Sequence, residues 1–347
     1  MSADRFAEGA GPRDASRRPA PALVYAALIA MAALVALLSL GVGHADLADD
    51  NLRGMLLRLR AQRLGGAFLA GSALAVAGVL VQGLFQNPLA SPSVIGTSAG
   101  ASLGGRLGLL ATIGLQSAGT AIALPPQVLL PLGCVLGALG ALGLLLAISR
   151  DRDDAVVLLL SGFLLSSLFL SLEGFVTSLA LERWELARAV VTFALGDVSA
   201  VGGLQLLLAA PLVVIGCALA WTWALPLDLM LSGEEEARSL GLDQKTLRRW
   251  VVVWVAVLTA AAVAIGGNVG FVGLVVPHAL RPLLGVLHRR LIPAAALGGG
   301  AFVVACDVLC RVLPGRTEVP LGVITGLIGA PVFLGLLLKH RARSYAF

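Results

Sequence analysis

Long apolar runs alternate with short polar stretches along this chain, and most runs have the length needed to cross the hydrocarbon of a bilayer. They fall at residues 22–42, 64–84, 94–114, 126–148, 155–180, 203–224, 249–266, 269–285, 291–311 and 319–338. The pattern predicts an all-α polytopic membrane protein with about ten transmembrane helices. The spans occupy 21–338, between a polar tail over 1–20 and a second tail over 339–347. The run from Pro21 to Val42 is too long for a signal-peptide core and lacks a cleavage pattern, so it reads as a retained first span.

One polar interruption stands out. Ser232–Arg249 carries Glu234, Glu235, Glu236, Arg238, Asp243, Lys245, Arg248 and Arg249, in a chain that is only 13% charged. Such a stretch belongs in water between two spans. Ser232 is placed to cap a short helix with the three glutamates in its first turn, and Gly241 to stop it. Asp243 is placed to cap a second short helix whose last turn holds Arg248 and Arg249. Two readings are open, a solvated loop or a docking surface for a soluble partner.

Composition agrees with the membrane class: 58% hydrophobic residues, a mean hydropathy of +0.93 and 42 glycines. Cys134, Cys217, Cys306 and Cys310 all lie in apolar runs without a CxxC pair, which speaks against disulfides and structural zinc. An even number of spans puts both termini on one side. Sixteen lysines and arginines then fall on the side of the termini and eight on the other, and Arg106 within a span completes the 25. The positive-inside rule makes the termini and the 232–249 stretch cytoplasmic. The net charge of +5 suits a membrane surface and not nucleic acid.

Within the third span, Gly96, Gly100, Gly104 and Gly108 form a ridge that admits another helix closely. Arg106 points away from that ridge and sits about midway along the span, where an arginine is either a functional group or a paired structural one. Two stretches are polar or proline-broken where helices should continue: Gln82–Pro92, with Pro88 and Pro92, and Gly266–His278. Broken helices in a membrane line cavities or pathways, because their backbone must find water or protein. No GxxxxGK[ST] loop occurs, so ATP phosphates would have to be held by another subunit. An ion-coupled carrier is the rival reading, with Glu173 and Arg106 as its titratable candidates. A membrane scaffold leaves the breaks without a purpose.

The segment RLRAQRLGGAFLAGSALAVAGVLVQGLFQNPLASPSVIGTSAGASLG, followed by GEEEARSLGL, GFVGLVVPH and EVPLGVITGLIGAPVFLGLLLK, resembles the FecCD-type permeases. These are membrane subunits of ATP-driven importers for iron–siderophores, haem and vitamin B12. The resemblance spans about Arg60 to Lys339. It implies the type II ABC importer permease fold, a homodimer in the bacterial inner membrane, two ATPase subunits that bind ATP and Mg, and a periplasmic binding protein. No permanently bound cofactor and no metal site are implied.

By the same resemblance, Glu234, Glu235, Glu236, Arg238, Leu240, Gly241 and Leu242 form the coupling surface toward the ATPase. Asn87, Pro88 and Leu89 match an inner gate loop. Arg152, Asp153 and Asp154 stand at the second gate, where small hydroxylated residues are the family pattern. Arg60, Arg63 and Arg311 match outer arginines that meet carboxylates of the binding protein, with Arg316 as a further cation. Ala61-Gln62 replaces the family's leucine-proline between the first two. Glu185–Gly196 fits a short re-entrant helix, with Phe193 near the position of a familiar tryptophan. Arg106, Glu173 and Phe193 are the pathway candidates. Haem is the favoured cargo, because the pathway is apolar and Arg106 offers a partner for a propionate. In the empty protein, water or helix-break carbonyls would occupy that arginine. A siderophore or a corrinoid stays open.

Overall fold

The computed structural model describes residues 19–43, 50–117, 126–148, 155–313 and 318–344. Ten helices follow the predicted spans: α1 Pro21–Gly41, α2 Asp50–Leu84, α3 Thr97–Ser117, α4 Pro126–Ile148, α5 Ala155–Ala180, α7 Gly203–Thr222, α10 Gln244–Gly266, α11 Val272–Leu284, α12 His288–Val312 and α13 Leu321–Ser344. Between them lie three short helices, α6 Trp184–Leu195, α8 Ala224–Leu229 and α9 Glu234–Ser239. No strand occurs among the described residues. Seven of the ten are both long and apolar enough to cross a membrane by themselves. The polar content of α3, the 13 residues of α11 and the shorter apolar stretch of α13, Leu321–Gly335, set these three apart.

Burial sorts the helices into an inner and an outer set. About 78% of the apolar window of α2 is buried, with 72% for α10 and 67% for α12, against 17% for α1 and 28% for both α4 and α7. The inner set is rich in small residues. Ala67, Ala70, Ala73, Ala75 and Ala77 of α2 are fully buried, and Ser72 Oγ donates to the Ala296 carbonyl of α12 at 2.8 Å. Small side chains let backbones approach where lipid supplies no hydrophobic push between helices. The exposed leucines and phenylalanines of α4, α5 and α7 face outward, as a lipid-facing surface requires.

Three boundaries differ from expectation. The loop expected before residue 64 is helical from Asp50, so α2 has 35 residues and a length of about 52 Å. That exceeds a hydrocarbon core of about 30 Å, and the arginine-bearing first turns project beyond it. Arg248 and Arg249 sit in the first turns of α10 and not in the last turn of a separate helix, because no breaker separates them from the span. At the far end, α13 continues to Ser344, through part of the expected tail.

The glycine ridge is a seam between α3 and α4. A Cβ at Gly104 would strike the Gly133 carbonyl, and one at Gly137 the Gly100 carbonyl, so the two backbones touch over more than one turn. Gly96 does not belong to this seam. It closes a 3-10 turn, Pro92–Ile95, with a left-handed φ of 85°.

Candidate transport pathway and coupling surface

The two broken stretches meet. Gln82 Nε2, at the end of α2, donates to the Gly273 carbonyl at the start of α11 across 3.1 Å. Beside this bond lies a cavity of about 240 Å³, lined by Leu74, Ser91, Pro92, Ser93, Ser98 and the run Asn268–Leu274. Each break also holds one strained residue. Gln86 (φ 47°) and Phe271 (φ 66°) are the two non-glycine residues with positive φ among those described. That conformation disfavours an L-residue by about 1–2 kcal/mol, and such strain gathers where function requires a special backbone.

The loop between α2 and the 3-10 turn is built from local hydrogen bonds. Asn87 N–H donates to the Gln82 carbonyl (3.2 Å), Leu89 N–H to Asn87 Oδ1 (2.9 Å) and Ala90 N–H to the Asn87 carbonyl (3.1 Å). Asn87, Pro88 and Leu89 are all exposed. Past them, Ser91 Oγ and Ser93 Oγ lie 2.6 Å apart, and Ser166 Oγ of α5 donates to the Ser93 carbonyl at 2.9 Å. The loop is therefore tied to α5 through its backbone. Arg152, Asp153 and Asp154 lie outside the described residues.

The short helix α6 ends against the second break. Asn268 N–H donates to the Phe193 carbonyl (3.3 Å), Asp197 N–H to the Gly266 carbonyl (2.9 Å) and Leu321 N–H to the Gly196 carbonyl (2.9 Å). Three chain interruptions thus supply one another's backbone partners, as buried non-helical backbone must. Phe193 is buried, with its ring against Gly105 of α3, so it acts as packing between α6 and α3.

Arg106 does not wait on water or on carbonyls, the partners expected for it. Its Nη2 lies 2.9 Å from Glu173 Oε2, and Nη1 donates to Thr177 Oγ1 at 3.0 Å. Both charged side chains are buried, and neither lines the cavity between the breaks. The two pathway candidates of α3 and α5 are one another's counter-ion. The reason is geometric: residues on the face of α3 opposite the glycine seam meet α5.

Where α1 ends, the predicted docking arginines are largely engaged. Arg60 Nη1 donates to the Leu40 and Gly41 carbonyls at 2.8 and 3.1 Å. Arg311 Nη1 donates to the Ser39 and Val42 carbonyls, and Nη2 reaches Ser39 Oγ and Asp307 Oδ2, all within 2.7–2.9 Å. The end of α1 leaves carbonyls without helical partners, and two buried guanidinium groups satisfy them. Arg311 is accordingly a cap of α1 and a partner of Asp307, not an exposed docking cation. Arg63 is bound by Asp307 (2.8 Å) and by the more exposed Glu318 (2.7 Å). Sequence reasoning missed Asp307, although a carboxylate four residues before Arg311 in an apolar span was a usable signal. Arg316 lies outside the described residues.

The charged hairpin stands clear of the bundle. Glu234, Glu235, Glu236, Arg238 and Leu240 are exposed, Leu242 is half-buried, and Ala237 is fully buried and anchors α9. Ser232 does not cap this helix. Its hydroxyl donates back to the Leu229 carbonyl at 2.8 Å, and Gly233 holds the N-terminal position with φ 112°. The stop is as expected: Leu242 N–H donates to the Ala237 carbonyl and Gly241 N–H to that of Arg238, with Gly241 at φ 86°. Asp243 caps α10, accepting from the Lys245 and Thr246 amides and the Thr246 hydroxyl, which hold its carboxyl below the ordinary carboxylate range. Glu234 closes the hairpin on Arg248 at 2.7 Å.

Helices broken around a shared cavity, with a water-facing hairpin at one end, make up the architecture of a membrane transport permease. The chain belongs to the FecCD transport family, whose model matches residues 22–339. The hemin transport system permease protein HmuU of Yersinia pestis is 33% identical over 337 residues, covering 93% of this chain and 98% of that protein. The cobalamin import system permease protein BtuC of Halobacterium salinarum is 37% identical over 291 residues, covering 82% and 74%. A metal-chelate type ABC transporter solved in an inward-facing conformation superposes with a TM-score of 0.82 at 29% identity, over 92% of this chain and 100% of that one.

Proposed function

We propose that this chain is the membrane subunit of an ATP-driven importer, and that a homodimer of it carries haem from periplasm to cytoplasm by alternating access. Both termini are cytoplasmic in this reading, following the distribution of lysine and arginine. Two copies of a separate ATPase, holding ATP and Mg, dock on Glu234–Leu242. A periplasmic binding protein meets the outer end near Arg63. The observation that carries the reading is the meeting of two helix breaks around one cavity, the first through Ser91–Ser93 and the second through Asn268–Leu274, which includes the strained Phe271. A backbone poised there can rearrange without unfolding a helix, which alternating access needs.

Haem as cargo is supported by the similarity to the hemin permease along nearly the whole length of both chains. The supposed propionate partner, Arg106, no longer argues for it, because Glu173 occupies that guanidinium. A corrinoid is the second reading, supported by the similarity to the cobalamin permease. Proteoliposomes containing the permease, its ATPase and its binding protein test both. ATP-dependent uptake of haem and not of cobalamin is expected. Uptake of cobalamin alone would replace haem, and ATP-independent uptake abolished by an uncoupler would replace the importer itself.

A further inference from the structure

Four of the chain's five tryptophans lie at one end of the bundle. Trp223, Trp250 and Trp254 form a stacked row, with successive ring centres 6.5 and 6.4 Å apart and planes inclined by 21° and 19°. Trp221, at the end of α7, donates its indole N–H to the Arg289 carbonyl at 3.1 Å. The Arg289 guanidinium carbon in turn lies 5.6 Å from the centre of the Trp221 ring. From the other side, Tyr25 of α1 donates its hydroxyl to the Arg290 carbonyl at 2.7 Å. Rings from α1 and α7 thus flank the first residues of α12, where Arg289 and Arg290 are both exposed. The nearby carboxylate, Asp228, is turned inward: its Oδ1 accepts from the His288 amide at 2.6 Å and lies 2.8 Å from His288 Nδ1. Two guanidinium groups are left at the surface of a helix end, that of Arg289 over the Trp221 ring and that of Arg290 near Tyr25.

Each part has a clear preference. Tryptophan and tyrosine at helix ends sit at the level of lipid headgroups. Guanidinium groups bind phosphate oxygens bidentately, and an arginine already over an indole face is oriented for that contact. On both flanks, α1 and α7 present mostly unburied apolar surface along which acyl chains can lie. We propose that this cluster is a binding site for an anionic phospholipid, its phosphodiester held by Arg289 and Arg290 and its headgroup region bounded by Tyr25 and Trp221. Assignment to the inner leaflet rests on the orientation proposed above, whereas the headgroup preference does not.

Trp221 reports on the site directly, and Trp223, Trp250 and Trp254 report on the same end of the bundle. The full chain carrying Trp184→Phe, reconstituted in phosphatidylcholine nanodiscs, receives either dibrominated phosphatidylglycerol or dibrominated phosphatidylcholine at equal mole fraction. Nanodiscs expose both faces and no transport is measured, so the result is independent of orientation and of cargo. Bromine on the anionic lipid should quench at a mole fraction roughly thirtyfold lower, given two basic groups near the surface. Arg289→Gln with Arg290→Gln should abolish that preference. Equal quenching by both lipids, or a preference that survives the double substitution, overturns the site and leaves an ordinary aromatic belt. If the double variant does not fold, native mass spectrometry of the unsubstituted chain in mixed lipid decides. Retention of phosphatidylglycerol over phosphatidylcholine supports the site, and equal retention overturns it.

Discussion

Arg106 Nη2 stands 2.9 Å from Glu173 Oε2, so an ion pair joins α3 to α5 inside the apolar bundle. An isolated guanidinium at this depth would be disfavoured by roughly 2.5–3.5 kcal/mol on insertion scales. Its offset is a carboxylate of the same chain, present whether or not cargo is. A buried pair of this kind adds little net stability, yet removing one member strands the other.

Arg106→Gln should therefore destabilise the fold by about 3–5 kcal/mol, read as a fall in thermal unfolding temperature in detergent. Combining it with Glu173→Gln should recover much of the loss. Transport per folded molecule should be near normal. A variant of normal stability that fails only with haem would assign Arg106 to the cargo after all.

Replacing Glu234, Glu235 and Glu236 with alanine should leave insertion intact and reduce association with the ATPase. The Glu234–Arg248 pair is exposed and contributes about 0.2–1 kcal/mol, so stability is not the readout. Gly241→Val should have a similar effect by another route, since a β-branched residue resists φ 86°. Normal co-purification with normal stimulated ATP turnover would end the docking proposal.

Asp243 supplies a pH test outside the membrane. Its carboxyl is held below the ordinary range by the Thr246 hydroxyl first and by amides second. A lowered pKa means that the cap's contribution is complete above the unfolded value and lost as pH falls through the folded one. Hydrogen-exchange protection of the amides at the start of α10 should thus stay flat from neutral pH down to the carboxylate range, then drop. Asp243→Asn should flatten that drop, and Asp243→Ala should lower protection at every pH.

Arg63 and Arg311 should separate. Arg63→Gln, which keeps donors toward Asp307 and Glu318, should slow association with the binding protein, most at low salt, because Arg63 is the docking candidate least enclosed by α1. Arg311→Glu should instead lower folded yield, since it breaks the contacts to Ser39, Val42 and Asp307. Unchanged association of the Arg63 variant at low ionic strength would remove it from the docking surface.

Gln86 tests whether the strained turn after α2 takes part in transport. Gln86→Gly should leave stability equal or slightly raised, because glycine tolerates φ 47°. Gln86→Val should lower it by about 1–2 kcal/mol. Transport should fall in both if this backbone conformation is part of the cycle. Full transport by the glycine variant would make the strain incidental.

The spans were legible because hydropathy is a local property: 126–148 and 155–180 match α4 and α5 to the residue. The first turns of α2 were not, since arginines alternate with leucines there and a helix leaving the membrane reads like a loop. Partnership was hidden for a different reason. Glu173 lies 67 positions from Arg106 and Ser39 lies 272 from Arg311, and no periodicity encodes which helices become neighbours. Charge in an apolar run marked the residues that needed partners without saying who they were. The breaks over Gln82–Pro92 and Gly266–His278 were visible through their prolines and glycines, but the convergence of Ser91–Ser93 and Asn268–Leu274 on one cavity needed three dimensions.

The seam of Gly100 and Gly104 against Gly133 and Gly137 has a use of its own. Backbone touches backbone there, with no side-chain rotamers between to absorb motion, so α3 and α4 form a single stiff slat. Spin labels placed on the outer faces of these two helices would keep one separation through the whole cycle. Against that fixed ruler, every other distance change in the protein, from α5 to the 232–249 hairpin, could be calibrated within the same molecule.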